Sequence, residues 1–430
     1  MSALALDTGR ANRAAPLAGL TRGLLWLVGF SGGFVFIEPA PYEVVIALAA
    51  VVFVIAGLPL RRAHLPLVFL LVAYNIGYLI GVVPVLAYEG TAMWAAVSSF
   101  MSVTTLFFAL ALGDDTERRL DMLLKGYVAV AVVVSIFGIV TYFHLLPGSD
   151  TFMFAQRSRA TFKDPNVLGA FLVLPGVLAM QRMMMGRLRD FLVGGVITFV
   201  IAIELLLAFS RGAWGVFAAA AVMMLGFSFI TSASARERLR IVVCSAMAVA
   251  ALALLIAVIL SVPQVANLFT ERASLVQSYD SGRFGRFGRH ILGAELALDH
   301  PFGIGPLQFT KFFPEDPHNS FLDSFMAGGW LSGAAYFGLI LVTLAIGLRY
   351  VFVTTPWRAH YLALYASFVA LSGESYIIDV QHWRHYFLIM GVLWGLFIAG
   401  AAARVGGREP LHRPPPITIV RAVRSVAQPG

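Results

Sequence analysis

The chain has 430 residues, of which 59% are hydrophobic and only 13% charged, with a formal net charge of +8 and a mean hydropathy of +0.83. Soluble domains average about 25% charged residues. No water-soluble core absorbs this much apolar surface, so a soluble protein is excluded, and no nucleic-acid partner is expected.

Apolar runs of roughly 17–25 residues recur along the chain, the length an α-helix needs to cross a hydrocarbon layer about 30 Å thick. Backbone groups in lipid must be satisfied within the segment, so these runs are helices. They fall near 22–38, 42–60, 65–84, 92–112, 122–146, 166–181, 191–209, 212–231, 240–262, 320–348, 359–377 and 384–403. The expectation is an all-α polytopic membrane protein with about twelve transmembrane helices: a tail over 1–21, nine helices within 22–262, a long loop over 263–319, three helices within 320–403 and a tail over 404–430. The run after Arg22 lacks a small-residue cleavage site and meets Glu38 and Pro39, which favours an uncleaved first helix over a signal peptide. The residues through about Arg13, and the last segment with Pro414-Pro415-Pro416, read as unstructured extensions. Cys244, the single cysteine, forms no intrachain disulfide and reads as a small core residue.

Positively charged loops stay in the cytoplasm. With the amino terminus inside and an even number of helices, 21 of the 31 basic residues fall on the cytoplasmic side. The ten on the outer side are Arg157, Arg159 and Lys163 before the sixth span, Arg211 in the short turn after the seventh, Arg272, Arg283, Arg286, Arg289 and Lys311 in the long loop, and Arg384. Guanidinium groups at helix ends match phosphate oxygens with paired hydrogen bonds, so an anionic ligand such as a lipid-linked phosphate or pyrophosphate is indicated. Arg157, Lys163, Arg272 and Lys311 read as solvated loop charges or as contacts to the head groups of membrane lipids. Arg211 lies close to the hydrocarbon boundary, where an ionised group is costly without a partner or a task. Glu204, within the seventh span, should be paired inside the bundle.

In the long loop, glycines alternate with Arg and Phe from Ser281 to Arg289, and a short helix should run on to Asp299. This lets backbone amides and guanidinium groups approach a ligand together. Phe284 and Phe287 read as packing residues for the loop, with sugar contact as the alternative. Gly303-Ile304-Gly305 reads as a simple turn. The loop closes with Asp316-Pro317-His318-Asn319-Ser320, and an apolar helix starts at once. Asn319 or Ser320 can cap that helix. His318, at its positive end, would be held neutral and so able to accept a proton from an attacking hydroxyl. His382 and His385 have no carboxylate or thiolate at matching spacing for a metal cage.

Four fragments, in this order and between these helices, resemble the O-antigen ligase and polymerase superfamily of bacterial polytopic glycosyltransferases over roughly residues 150–345. They are Arg159 to Asn166 followed by Gly169, Ser210-Arg211-Gly212, the Ser281-Gly282-Arg283 run with Pro301 and Gly303–Gly305, and His318-Asn319 with nine residues before Gly329. The resemblance implies a C-type glycosyltransferase fold acting on an undecaprenyl-pyrophosphate-linked glycan at the periplasmic face of the inner membrane, with inversion at the anomeric carbon and no metal or other cofactor. It implies that Arg159 and Arg211 hold the pyrophosphate with a loop arginine, Arg286 first, Arg283 next and Arg289 third. It also implies that His318 activates the acceptor hydroxyl. Ser332-Gly333 stand where the ligase signature usually has Gly-Thr. The acceptor is therefore open between lipid A–core, for a ligase, and a second lipid-linked unit, for an O-antigen or exopolysaccharide polymerase. Glu374, Asp379 and His382 are candidate acceptor-side residues. A secondary transporter is the alternative from another class, and a purely structural membrane subunit is a third. Repeated halves, expected of a transporter, are not evident, and the charges cluster at one face.

Overall fold

The structure, a computed structural model, describes residues 3–184, 186–273 and 282–405. Ser281 and the proline-containing tail after Val405 lie outside the described residues. Fourteen α-helices are described: α1 (Ala3–Ser31), α2 (Pro41–Ala56), α3 (Leu65–Val82), α4 (Thr91–Ala111), α5 (Thr116–Tyr142), α6 (Pro165–Met183), α7 (Leu188–Leu207), α8 (Arg211–Thr231), α9 (Ala235–Ile259), α10 (Pro263–Ala273), α11 (Arg286–Asp299), α12 (Ser320–Val351), α13 (Arg358–Glu374) and α14 (Arg384–Val405). The only strands among the described residues, β1 (Met153–Phe154) and β2 (Arg157–Ser158), form a two-stranded antiparallel pair.

Each of the twelve expected spans coincides with a helix, and among the described residues nine helices are long and apolar enough to cross a membrane. The protein is thus an all-α membrane protein. Two differences stand out. The residues expected as an amino-terminal tail continue α1 back to Ala3, because alanine, the best helix former, recurs through that stretch. The long loop holds two helices rather than one, since α10 precedes the expected α11.

The bundle is organised around α14, which is apolar on every side and so is buried rather than lipid-facing. In its most apolar window 89% of residues are buried, against 17% for α9 at the periphery. Helices of a membrane bundle approach most closely where small residues face each other. A Cβ on Gly77 of α3 would lie 2.9 Å from the Gly328 carbonyl oxygen of α12, so the two backbones are nearly in contact there.

Expected as an uninterrupted span, α12 breaks at Gly328 (φ −123°, ψ 15°) and Gly329 (φ 68°, ψ −168°). A break frees backbone groups that lipid cannot satisfy. Here the Pro301–Ile304 segment satisfies them: Ile304 N donates to the Met326 carbonyl at 2.7 Å, and Trp330 N donates to the Pro301 carbonyl at 2.9 Å. The Gly303–Gly305 turn is thus present, and it is the stitch that closes the kink.

The loops segregate to two ends of the bundle. At one end, Arg22 pairs with Asp115 at 2.6 Å, Arg61 with Asp114 at 3.1 Å, and Arg240 donates to the Met184 carbonyl at 2.8 Å. At the other, Val35 N donates to the Thr161 carbonyl at 3.1 Å, Arg157 to the Ala208 carbonyl at 2.9 Å, and Ser320 N to the Ser375 carbonyl at 2.9 Å. The second end carries α10 and α11 and every one of the ten basic residues set apart above.

Gly329 occupies backbone space that essentially only glycine enters, and a Cβ there would lie 2.6 Å from the Phe302 carbonyl carbon. Gly329→Ala should lower the melting temperature of the detergent-solubilised protein by several degrees or prevent folding. Gly215→Ala, in α8 with nothing within 4 Å of its Cβ position, should leave it unchanged or slightly raised.

Candidate functional site

The entrance of α12 organises the second end. Asn319 is its cap, with Oδ1 accepting from Phe321 N at 3.0 Å and Leu322 N at 3.1 Å. The next residue, Ser320, is fully buried. Its Oγ donates to the Ile378 carbonyl at 3.1 Å and accepts from Val380 N at 2.8 Å. Gln381 Nε2 then donates to the Ser320 carbonyl at 2.9 Å and to Ser324 Oγ at 2.6 Å. The α13–α14 loop is therefore fastened to α12 on both sides of Asp379. That fastening sets Asp379 Oδ2 3.2 Å from His318 Nδ1. His318 itself has φ +50°, an uncommon conformation for a non-glycine residue and one that concentrates at functional sites.

The hydrogen bond to Asp379 raises the His318 pKa above the ordinary histidine value, against the opposing effects of burial and of Arg289 and Arg286. The carboxylate in hydrogen-bond contact thus favours the imidazolium, whereas the helix end alone would favour the neutral ring. With Nδ1–H directed at Asp379, Nε2 carries the lone pair that can take a proton.

The loop arginines reach this place through α11. His290 Nε2 lies 2.9 Å from the Pro317 carbonyl, next to His318 in the chain. Burial first, and then Arg286 and Arg289, lower the His290 pKa, so it stays neutral as a donor. Arg289 is only 2% exposed, and its guanidinium pairs with Glu315 at 2.6 Å. Arg286 is half-buried in the first turn of α11. Arg283 is exposed before the helix, with its guanidinium 5.8 Å from the Phe284 ring centroid. The structure thus brings Arg286 and Arg289 to His318 and leaves Arg283 at the rim. Phe284 and Phe287 are both exposed.

Arg159 sits on the neighbouring loop, where Nη2 donates to the Thr151 carbonyl at 2.8 Å and Nη1 to the Lys163 carbonyl at 3.3 Å. Its guanidinium lies 5.1 Å from the Phe36 ring centroid. Arg157 is not the solvated charge expected. It is buried, and Nη2 reaches Asn166 Oδ1 at 2.8 Å while Nε reaches the Ala208 carbonyl, since a hairpin turns it inward between two loops. This ties the Arg159 loop to the turn bearing Arg211, the first residue of α8. Ser210 caps that helix, accepting from Ala213 N at 3.3 Å, and Phe209 has φ +45°. Lys163 pairs with Glu38 at 2.9 Å, and Lys311 stands 3.0 Å from the Tyr88 ring centroid. Arg384 pairs with Glu43, and Ser158 donates to Glu204 at 2.6 Å inside the bundle.

Glu374, Asp379 and His382 have different surroundings. Glu374, 3% exposed, packs at the start of α8, where a Cβ on Gly212 would lie 2.6 Å from its Oε1. His382 hydrogen-bonds Ser98 Oγ at 2.9 Å and lies against the Trp94 ring at 4.1 Å. Burial, then Arg384, pushes its pKa down to about 4. Only Asp379 reaches His318. Beside it lies a small cavity of about 30 Å³, room for about one water, lined by Trp94, Gln308, Phe309, Asp316, Asp323 and Asp379 among others. Burial, then Asp379, raises the Asp316 pKa. Sequence reasoning passed over Trp94, Asp316 and Asp323; of these only Asp316, two residues before His318, carried a signal. Among the described residues, no three His, Cys, Asp or Glu side chains are grouped to hold a metal ion. Comparison of the chain with known protein families and with curated proteins finds no match.

The raised pKa has a direct readout. Nitrogen-detected NMR of labelled His318 should titrate above pH 6.5, the imidazolium persisting below that pKa and the neutral ring above it. In Asp379→Asn, where burial and the arginines act unopposed, the titration should move below the wild-type value.

Proposed function

We propose that the protein is a membrane glycosyltransferase that moves a glycan from a lipid-linked pyrophosphate donor, undecaprenyl pyrophosphate in the O-antigen ligase reading, to a hydroxyl of a glycolipid such as lipid A–core. The observation that carries this reading is the His318–Asp379 pair at 3.2 Å beside a cavity, with Arg286 and Arg289 close enough to oppose its charge. Neutral Nε2 of His318 takes the proton of the acceptor hydroxyl. The oxygen attacks the anomeric carbon on the face opposite the leaving group. The carbon–oxygen bond to pyrophosphate breaks, and the electron pair leaves with the lipid pyrophosphate. Asp379 holds the ring and stabilises the imidazolium that forms. Arg286, together with Arg159 and Arg211 on the adjoining loops, meets the charge that develops on the leaving group.

The excess of basic residues at the opposite end supports an outward-facing site. At the periplasmic face of an inner membrane this site would meet a lipid-linked donor in the outer leaflet. Transfer to a second lipid-linked unit, as in a polymerase, uses the same donor chemistry. Ser332 and Gly333, the departure from the ligase signature, pack against Gly77 and Phe325 respectively. Their neighbours are thus other helix residues.

Purified protein reconstituted in liposomes and given a lipid-linked glycan with lipid A–core or a second lipid-linked unit should form the transferred product. The wild-type rate should climb with pH through the raised His318 pKa. His318→Ala and Arg211→Ala should each lose a hundredfold or more, the scale for a general base or an oxyanion donor. Full transfer by His318→Ala would remove it as the base, and solute flux without transfer would favour a transporter.

A further inference from the structure

The helix α11 has two unlike faces. Arg289, Leu292, Gly293 and Ala297 are buried against the bundle, and a Cβ on Gly293 would lie 3.4 Å from Met326 Sδ of α12. On the opposite side Phe287, Ile291 and Leu298 are exposed, at offsets of four and seven residues that align them along one stripe of a helix. Phe284 before the helix and Phe302 after it are exposed as well. An apolar stripe of this length marks an interaction surface. Glu295 and Asp299 border it on one side and Arg286 on the other, the pattern of a helix that lies in a membrane interface.

Trp330 marks where the hydrocarbon begins. Residues 330–351 of α12 run roughly 33 Å at about 1.5 Å per residue, enough to cross a layer about 30 Å thick. The helix α3 stops at the same level, since it ends at Val82 and Gly81 packs on the Ala327 backbone. Below the break in α12, the exposed residues Trp330, Phe337, Leu341 and Leu348 follow at offsets of seven, four and seven, which makes them one lipid-facing stripe. The helix α11 joins the top of that stripe: Trp330 Nε1 donates to the Ala297 carbonyl at 2.8 Å, and exposed Leu298 is the next residue. Its apolar face is thus continuous with the lipid-facing surface of α12. We propose that α11 is an interfacial helix, with Phe287, Ile291 and Leu298, flanked by Phe284 and Phe302, seated among the phospholipids of the leaflet at the His318 end. Tryptophan at the boundary and arginine beside apolar residues are what this level of a bilayer favours. Exposed Arg283 supplies a cation at the height of the lipid phosphates. The same helix carries His290, whose Nε2 lies 2.9 Å from the Pro317 carbonyl, so the lipid surface helps to hold the residue before His318. This assignment is independent of the transferase reading.

The test uses the full-length chain in liposomes of phosphatidylethanolamine and phosphatidylglycerol. In a Cys244→Ser background, nitroxide labels are attached one at a time to Phe287→Cys, Ile291→Cys and Leu298→Cys. Leu341→Cys serves as the lipid reference, and Asp150→Cys, exposed in a loop at the same end, as the water reference. Electron paramagnetic resonance then compares collisions with oxygen, which concentrates in lipid, and with a nickel chelate, which stays in water. The oxygen-to-nickel ratio at all three positions should exceed the Asp150 value by roughly threefold or more. A ratio at Phe287 and Ile291 equal to that at Asp150 would put the face in water, and loss of access to both reagents would put it against protein, such as a second copy; either result overturns the proposal. The unsubstituted chain gives a second check. A phospholipid with a photoactivated diazirine near the head-group end of its acyl chain should leave adducts on residues 284–302, and adducts confined to the membrane-spanning helices would contradict the proposal as well.

Discussion

The buried hydroxyl of Ser320 is the constraint on which the end of the bundle around His318 depends. It bonds two backbone groups of the α13–α14 loop while its own backbone bonds a third and accepts from Gln381. Each of these bonds is screened from water, so an unmade one would leave a buried polar group at a cost of about 1–3 kcal/mol. Asp379 has its place only because the residues on both sides of it are fastened this way. His318 has its partner only because Asn319, one residue on, caps the same helix. The site is thus assembled from the start of one membrane helix and the loop between two others, without long flexible side chains to position it.

The rest of this end follows a similar economy of backbone groups. Arg157 crosses from a hairpin to the carbonyl that ends α7, and Pro301 to Ile304 closes the break in α12. In both cases irregular backbone at or near membrane depth is tolerated because protein covers it. Rigid loops matter for the proposed chemistry, since a general base, an acceptor hydroxyl and a leaving group must be held in line within a few tenths of an ångström. Charge is separated on the same scaffold: carboxylates line the cavity, and guanidinium groups approach His318 from α11.

Much of this was legible in the sequence, and the reasons are physical. Lipid imposes a length on every span, so the apolar runs pointed to helices, nine of which, among the described residues, are long and apolar enough to cross a membrane. The arginines that share the His318 end of the bundle stood out because they depart from the positive-inside pattern of the remaining basic residues. His318 and Asn319 were legible because a capping residue directly before an apolar run marks a helix entrance. The break in α12 was not, although Gly328-Gly329 was in plain view, because a glycine pair in an apolar helix reads equally well as close packing. The pairing of Asp379 with His318 spans 61 residues and leaves no periodic trace. Arg157 misled for a related reason: its partners are a carbonyl and an amide on other segments, which no local pattern announces. Trp94 and Asp323 lie within helices whose apolar character hides the one face that turns toward a cavity.

The most direct measurement is a cryo-EM structure of the protein in nanodiscs with a non-hydrolysable lipid-linked diphosphate sugar bound. The account predicts the diphosphate among the arginines of the outer end, in contact with Arg211 and Arg286, and the anomeric carbon facing His318 Nε2 with room for one acceptor oxygen between them. A diphosphate bound at the opposite end of the bundle, or bound at the outer end with its anomeric carbon turned away from His318, would contradict it.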